Sequence, residues 1–263
     1  MTVGWFRRLL AVVIVVGLWA AACGDDDDGS ATTEAEPGLE GSIIVLAAAS
    51  LTDAFGEMGD AFEDANPTAS VELNFAASSA LREQILAGAP ADVFASANES
   101  NMTQVVDADA AAGEPATFVT NELEIAVPAG NPAEVDGLDD FNAGDLLIGL
   151  CAEEVPCGEF GRESLANAGV EPSVDTNEPD VRSLLTKVEA GDLDAGIVYH
   201  TDVLAAGDAV EGVEIPADEN VTATYPIVAL AEAGEPEVAA AFVDFVLSAD
   251  GQEILESYGF GSA

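Results

Sequence analysis

The chain has 263 residues, 50 acidic and six basic, for a formal net charge of −44. So few cations exclude a nucleic-acid binder, because too little positive charge is left to neutralise a phosphate backbone. The charge also costs compactness through self-repulsion that salt screens, so the composition fits a saline habitat. The acids are scattered along predicted helix faces without the D-x-D-x-D-G spacing of a calcium loop, and they read as solvated surface rather than a metal site.

In chain order, Arg7 and Arg8 precede an apolar run over residues 9–22 that ends Ala20-Ala21-Ala22 before Cys23. A charged start, an apolar middle and a small-residue exit predict an export signal over 1–22, with lipidation at Cys23. The run is short for a membrane span, which wants roughly 20 residues. Residues 23–40 are acidic and small, with Leu39 the lone large apolar side chain. Such a stretch cannot bury enough surface to offset its ordering entropy and is predicted to be a disordered tether.

From residue 41 apolar strands alternate with helical patterns. Strands are predicted at 42–47, 70–75 and 92–97, and helices at 51–65, 79–87 and 100–111. This is the α/β pattern of a mixed, mostly parallel sheet covered by helices. A strand at 123–128 runs into the breakers Ala129-Gly130-Asn131-Pro132, where the chain leaves one lobe for another. Further strands are predicted at 146–150 and 195–200, and helices at 159–168 and 181–190. After a polar loop, a strand at 222–230 returns to the first lobe and helices at 237–247 and 252–258 close the chain.

Four of the helix starts carry small or hydroxylated residues, at Ser50, at Ser78-Ser79, at Pro156-Cys157-Gly158 and at Asp180-Val181. A helix start presents unpaired N–H groups and the positive end of the peptide dipole, so it can hold an anion without formal positive charge. Ser50 and Ser78 lie at the carboxyl ends of their strands, where ligands of parallel sheets bind. The plain reading of either serine is an N-cap, and that of Tyr199 is a core aromatic. Asp180 suits a capping role, and Arg182 suits a pair with a neighbouring carboxylate.

After Cys23 the remaining cysteines are Cys151 and Cys157, six apart in an exported chain, and a small-loop disulfide is the favoured reading. A zinc pair is the alternative, opposed by the single histidine, His200.

The segments AAASLTDAF (47–55), FAASSALREQILAGAPADVFASA (75–97) and GIVYHTDV (196–203), with VPCG (155–158) and DVRSLLTKVEAGD (180–192), resemble in order and spacing the periplasmic molybdate-binding receptors of ABC importers. The resemblance runs from Ile43 to Phe260. It implies a two-lobed, type II periplasmic binding protein with a hinge of crossing strands, in which 41–122 and 224–263 form lobe 1 and 123–223 forms lobe 2. It implies a receptor rather than an enzyme, with molybdate or tungstate as ligand, no cofactor and no metal coordinated by protein atoms. The matching ligand residues are Ser50 and Ser78 from one lobe, and the amides of Cys157 and Val181 with the Tyr199 hydroxyl from the other. Where family members often carry alanine, this chain has Cys157, but only an amide is used there. Implied partners are the oxyanion and a membrane permease. The receptor is expected to be a monomer held by a lipid anchor at the outer face of the cytoplasmic membrane, or periplasmic.

Two other classes compete. One is a receptor of the same architecture for sulfate, phosphate or a metal cation; a protonated oxyanion needs an acceptor in the cage, for which Asp180 is the one obvious candidate. An exported hydrolase using Cys157 or a serine needs a base, and a single His200 without a G-x-S-x-G elbow supports this poorly.

Overall fold

Residues 43–48 are apolar at every position, a run that suits a strand covered on both faces. In the computed structural model, which describes residues 38–263, this run is the core of β1 (Gly41–Ala48). The export signal and residues 23–37 of the tether lie outside the described residues. The last tether residues are attached to the fold: Leu39 packs on the core and its carbonyl accepts from the Thr68 hydroxyl at 2.5 Å.

A short 3-10 turn, Ala49–Leu51, leads into α1 (Thr52–Ala65), followed by β2 (Ala69–Ala76), α2 (Ser78–Leu86), β3 (Val93–Ala95), α3 (Glu99–Asp107) and β4 (Ala116–Pro128). Then come β5 (Ile148–Cys151), α4 (Pro156–Asn167), β6 (Thr176–Glu178), α5 (Val181–Glu189), β7 (Ala195–Tyr199), α6 (His200–Ala206) and β8 (Val210–Glu214). The chain ends with β9 (Thr222–Ala229), α7 (Pro236–Leu247), α8 (Ala249–Ser257) and β10 (Gly261–Ser262).

The strands follow the order β2-β1-β3-β9-β4-β7-β5-β6. β1 runs parallel to β2 and β3, and β5 parallel to β6 and β7. Between these two parallel sets lie β9 and β4, antiparallel to each other and to their outer neighbours. On β4 the partner changes between Glu122, opposite Thr222 of β9, and Leu123, opposite Tyr199 of β7. Helices α1 and α7 pack with the first set on one side, and α2 and α3 cover a separate cluster around Leu46, Phe94 and Val228. Helices α4, α5 and α6 pack on the second set.

Several sequence expectations need correction. β4 starts at Ala116 rather than at 123; its first half alternates threonine and asparagine with Phe118 and Val119, so it lacks the apolar run by which the second half announces itself. The segment after residue 200 is not a polar loop, because it forms α6 and then β8, which pairs with β4 from Glu124↔Glu214 to Pro128↔Val210. β6 is three residues of mixed polarity and gave no signal.

Asp92 ties the first set together. Its Oδ2 accepts from the Ile44 amide at 2.6 Å and its Oδ1 from the Gly234 amide at 2.6 Å, joining β1 to the loop before α7. An aromatic series crosses the core from there. Phe62 and Phe242 meet edge to face at 5.3 Å between centroids, Phe242 meets Phe55 at 6.1 Å, and Phe55 meets Phe118 at 5.9 Å. Tyr225 then joins Phe118 to Tyr199, the last residue of β7, at 6.3 and 5.9 Å. All of these contacts but the tilted Phe55–Phe118 pair are edge to face, a preference that adds to area burial. Phe242 is fully buried at the centre of this series. Phe242→Ala is expected to destabilise the protein by about 3 to 5 kcal/mol in chemical denaturation, the usual cost of deleting a core phenylalanine; a loss below about 1 kcal/mol would deny it that position.

Candidate functional site

The strands β1, β2, β5, β6 and β7 each end where a helix begins, and their carboxyl ends converge. Ser50, Ser78, Cys157, Val181 and Tyr199 all line one small cavity of about 10 Å³ between the two strand sets. Each of the five is 4 % exposed or less. The five ligand residues named from the sequence are therefore brought to one place. The remaining lining is alanine, Val155, Pro156 and Asp180, so no lysine or arginine borders the cavity.

Neither serine is an N-cap by side-chain bonding. Ser50 sits in the 3-10 turn before α1, and Ser78 is the first residue of α2, whose cap Ala77 has no side-chain bond to give. The Ser78 hydroxyl oxygen accepts from the Ala97 amide at 2.9 Å, which leaves its proton free to point elsewhere. Ser50 Oγ shares a 2.9 Å hydrogen bond with the Tyr225 hydroxyl. With Tyr225 as donor, Ser50 too has its proton to offer. Burial raises the Tyr225 hydroxyl well above its ordinary pKa, so it stays protonated.

The second strand set contributes mainly backbone. The amides of Cys157 and Val181, at the starts of α4 and α5, have no acceptor within their own helices. Cys157 is joined to Cys151 by a disulfide, so its sulfur is neither a nucleophile nor a metal ligand. The loop between them is drawn tight. A Cβ on Gly158 would fall 1.9 Å from the Ala152 carbonyl oxygen, so that position requires glycine. Arg162 clamps the same loop through the carbonyls of Cys151 at 2.8 Å and Gly158 at 3.0 Å. Before α5, Asp180 accepts from the Ser183 amide at 2.8 Å and hydroxyl at 3.0 Å, so both its oxygens are used as a cap.

Tyr199 supplies the exceptional group. Its hydroxyl is buried with no hydrogen-bond partner in the protein, a costly condition unless something else accepts from it. Burial, then the neighbouring Tyr225 and Asp202, hold that hydroxyl far above its ordinary pKa, so it can act only as a neutral group. Beneath it Asp202, fully buried, accepts from the Tyr199 amide at 3.2 Å and lies 3.1 Å from Arg182 Nε. Sequence reasoning missed Tyr225, Asp202 and Arg162. Asp202 had a signal, an acid three residues into a helix start, as in a capping box; Tyr225 and Arg162 had none. His200 stands apart from the cavity, half exposed, with Nδ1 2.7 Å from Glu124. Among the described residues no cluster of three or more His, Cys, Asp or Glu side chains could hold a metal ion.

Asp202 links the site to pH. Burial raises its carboxyl to about 7, with Arg182 and the Tyr199 amide opposing and Asp53 and Asp180 adding to the rise. A carboxyl that binds its proton more tightly when folded contributes stability fully below its unfolded pKa, and that contribution is lost as pH climbs through the folded value. The stability of the wild type relative to Asp202→Asn should therefore fall between about pH 4 and pH 8, by on the order of 4 kcal/mol at most. Denaturant titrations across that range check this, and a difference independent of pH would refute it.

Comparison with known proteins places this geometry among relatives. A family model described as bacterial extracellular solute-binding protein matches residues 43–261. The "Molybdate-binding protein ModA" of Mycobacterium tuberculosis is 36% identical over 258 residues, covering 98% of each chain. Among solved structures, a periplasmic molybdate-binding protein of Azotobacter vinelandii superposes with TM-score 0.73 at 19% identity, over 84% of this chain and 99% of that one. The sulfate-binding protein SubI of M. tuberculosis superposes with TM-score 0.76 at 18% identity, over 84% and 87%. At such identities both structures speak for the fold alone.

Proposed function

Because this chain belongs to the bacterial extracellular solute-binding proteins, we propose that it is a receptor for a tetrahedral oxyanion, molybdate and also tungstate, held between two lobes by neutral donors. The chain is not an enzyme; its one candidate sulfur nucleophile is in a disulfide and its histidine lies outside the cavity. The observation that carries the proposal is the unpartnered Tyr199 hydroxyl beside the hydroxyls of Ser50 and Ser78, the latter with its oxygen already accepting from Ala97, in a cavity bordered by helix-start amides. A fully deprotonated dianion presents only acceptors, and this lining presents donors. The ligand named for the M. tuberculosis relative agrees with that chemistry.

In this reading Ser50 and Ser78 donate from lobe 1 (41–122 with 224–263), while the amides of Cys157 and Val181 and the Tyr199 hydroxyl donate from lobe 2 (123–223). Charge-assisted hydrogen bonds contribute about 1.5 to 3 kcal/mol each. Five or more of them, less the cost of immobilising ligand and lobes, suffice for micromolar affinity, about −8 kcal/mol. Closure brings the second donor set to the ligand, and the closed shape is what a membrane permease reads before the oxyanion is delivered to it. Cys23 would carry the lipid that keeps the monomeric receptor at the outer face of the cytoplasmic membrane.

The competing ligands are less well served. Phosphate brings a proton that needs an acceptor, and the one carboxylate bordering the cavity, Asp180, is already oriented by the Ser183 amide and hydroxyl as a helix cap. Sulfate is smaller, and donors spaced for the larger ions would stand too far from it for good hydrogen bonds.

Titration calorimetry at high salt tests the proposal. Molybdate and tungstate should bind one to one, with sulfate at least about a hundredfold weaker, a gap of roughly 3 kcal/mol. Absence of heat with molybdate, tungstate, sulfate and phosphate from folded protein would sink it. Ser78→Ala should weaken molybdate binding about tenfold or more, the loss of one charged hydrogen bond, and an unchanged affinity would remove Ser78 from the site. His200→Ala should leave affinity as it is.

A further inference from the structure

Among the described residues one ion pair joins residues 41–122 and 224–263 to residues 123–223. It is made by Arg182. Arg182 follows Val181 at the start of α5, and its Nη2 donates to Asp53 Oδ2 at the start of α1, three residues beyond Ser50. Its Nε lies 3.1 Å from Oδ1 of the buried Asp202, whose other oxygen holds the Tyr199 amide. One guanidinium is thus linked to the segments bearing Ser50, Val181 and Tyr199 without bordering the cavity itself. A second contact crosses nearby, from Asn98 Nδ2 at the cap of α3 to Glu159 Oε2 in the first turn of α4, at 2.9 Å.

We propose that Arg182 and Asp53 are positioning residues that form a bridge between the lobes, holding the site assembled and setting how long a bound oxyanion stays. The proposal rests on the receptor reading above and goes beyond it, because neither residue is assigned to the ligand. Asp53 makes no side-chain hydrogen bond within its own half, where its part is that of an acid in the first turn of α1. It is exposed on α1, which is anchored by Ala54, Phe55, Met58 and Phe62. In a chain of net charge −44 the facing halves repel each other, and an arginine reaching across answers that repulsion locally. The pair is partly exposed and by itself weak, yet the buried Asp202, 3.1 Å from Nε, attracts the guanidinium from the other side and narrows where it can sit, so less side-chain entropy is lost when Asp53 meets it. A contact made only in the closed form raises the closed fraction, and apparent affinity follows that fraction.

The test uses the full chain carrying Cys23→Ser, with nitroxides on Gln84→Cys and Ala166→Cys, exposed positions on α2 and α4. Two readouts are taken at about pH 8, where carboxylates are ionised: the distance distribution between the labels, and the dissociation rate of molybdate in stopped flow. Asp53→Asn is expected to raise the dissociation rate about fivefold, the factor matching the upper end of an exposed ion pair, with association little changed and the label distances shifted to longer values. Asp53→Glu should restore most of both. Asp60→Asn, which removes an equal charge from an exposed position on the same helix, should change neither. A dissociation rate within about twofold of wild type in Asp53→Asn, a scatter ordinary for surface substitutions, overturns the bridge. If no oxyanion binds the wild type, the receptor reading is what falls. The label distances then decide alone, and the bridge falls with them if Asp53→Asn leaves them unchanged.

Discussion

The amides of the first helical turn have no acceptor in their own helix, and something outside the helix must satisfy them. In this chain the 3-10 turn before α1 and the starts of α2, α4 and α5 all border one small cavity. The arrangement follows from the sheet, because parallel strands put their carboxyl ends on one edge and every following helix begins there. It also answers the charge problem. All four cations among the described residues are already engaged: Arg82 with Asn101, Arg162 with two carbonyls of the disulfide loop, Arg182 with Asp53 and Asp202, and Lys187 with Glu178. A chain so acidic can offer an anion partial charges where it has no whole ones to spare.

Rigidity behind those donors is distributed unequally. Ser50 and Tyr199 are backed by the aromatic series through Tyr225 and Phe118 to Phe55 and Phe242, so their hydroxyls inherit the stiffness of the core. The Cys157 amide has no such backing and is fixed by covalent and local means instead: the disulfide, the glycine at 158 and the Arg162 clamp. Val181 depends on the Asp180 cap. Donors of three kinds are thus held by three different devices, and each device is a few residues of sequence.

The unequal backing explains what could be read from the sequence and what could not. β1, α1, α2, α5 and β7 were legible within one or two residues because each pairs a clean apolar period with a small or polar residue at its start. Ser50, Ser78 and Asp180 were legible because hydroxyls and carboxylates at strand-to-helix junctions are chemically pointed. Cys157 and Val181 were legible only as members of helix starts, and their amides were singled out through resemblance, since an amide donor leaves no mark on residue type. Tyr225 was hidden for another reason. It lies on an apolar strand where one more aromatic reads as core, and only long-range folding, 175 residues apart in sequence, sets its hydroxyl against Ser50. The first half of β4 and all of β8 were lost because their strand form comes from pairing with strands that sequence cannot locate, and β8 stays mostly exposed.

The change of partner on β4 has a mechanical meaning. Between Glu122 and Leu123 the strand stops being a neighbour of β9 and becomes a neighbour of β7, and Asn220 brackets the junction by accepting from the Leu123 amide and donating to its carbonyl. Pulled along their length, paired strands resist; rotated about the point where the ladder is interrupted, they yield. In the two-lobed reading proposed above, the hinge therefore lies at this junction. Tyr199 stands directly across from Leu123. The residue with the unanswered hydroxyl thus stands beside the point where the ladder changes partner, and in that reading a wide swing of the outer helices would move its oxygen only a little.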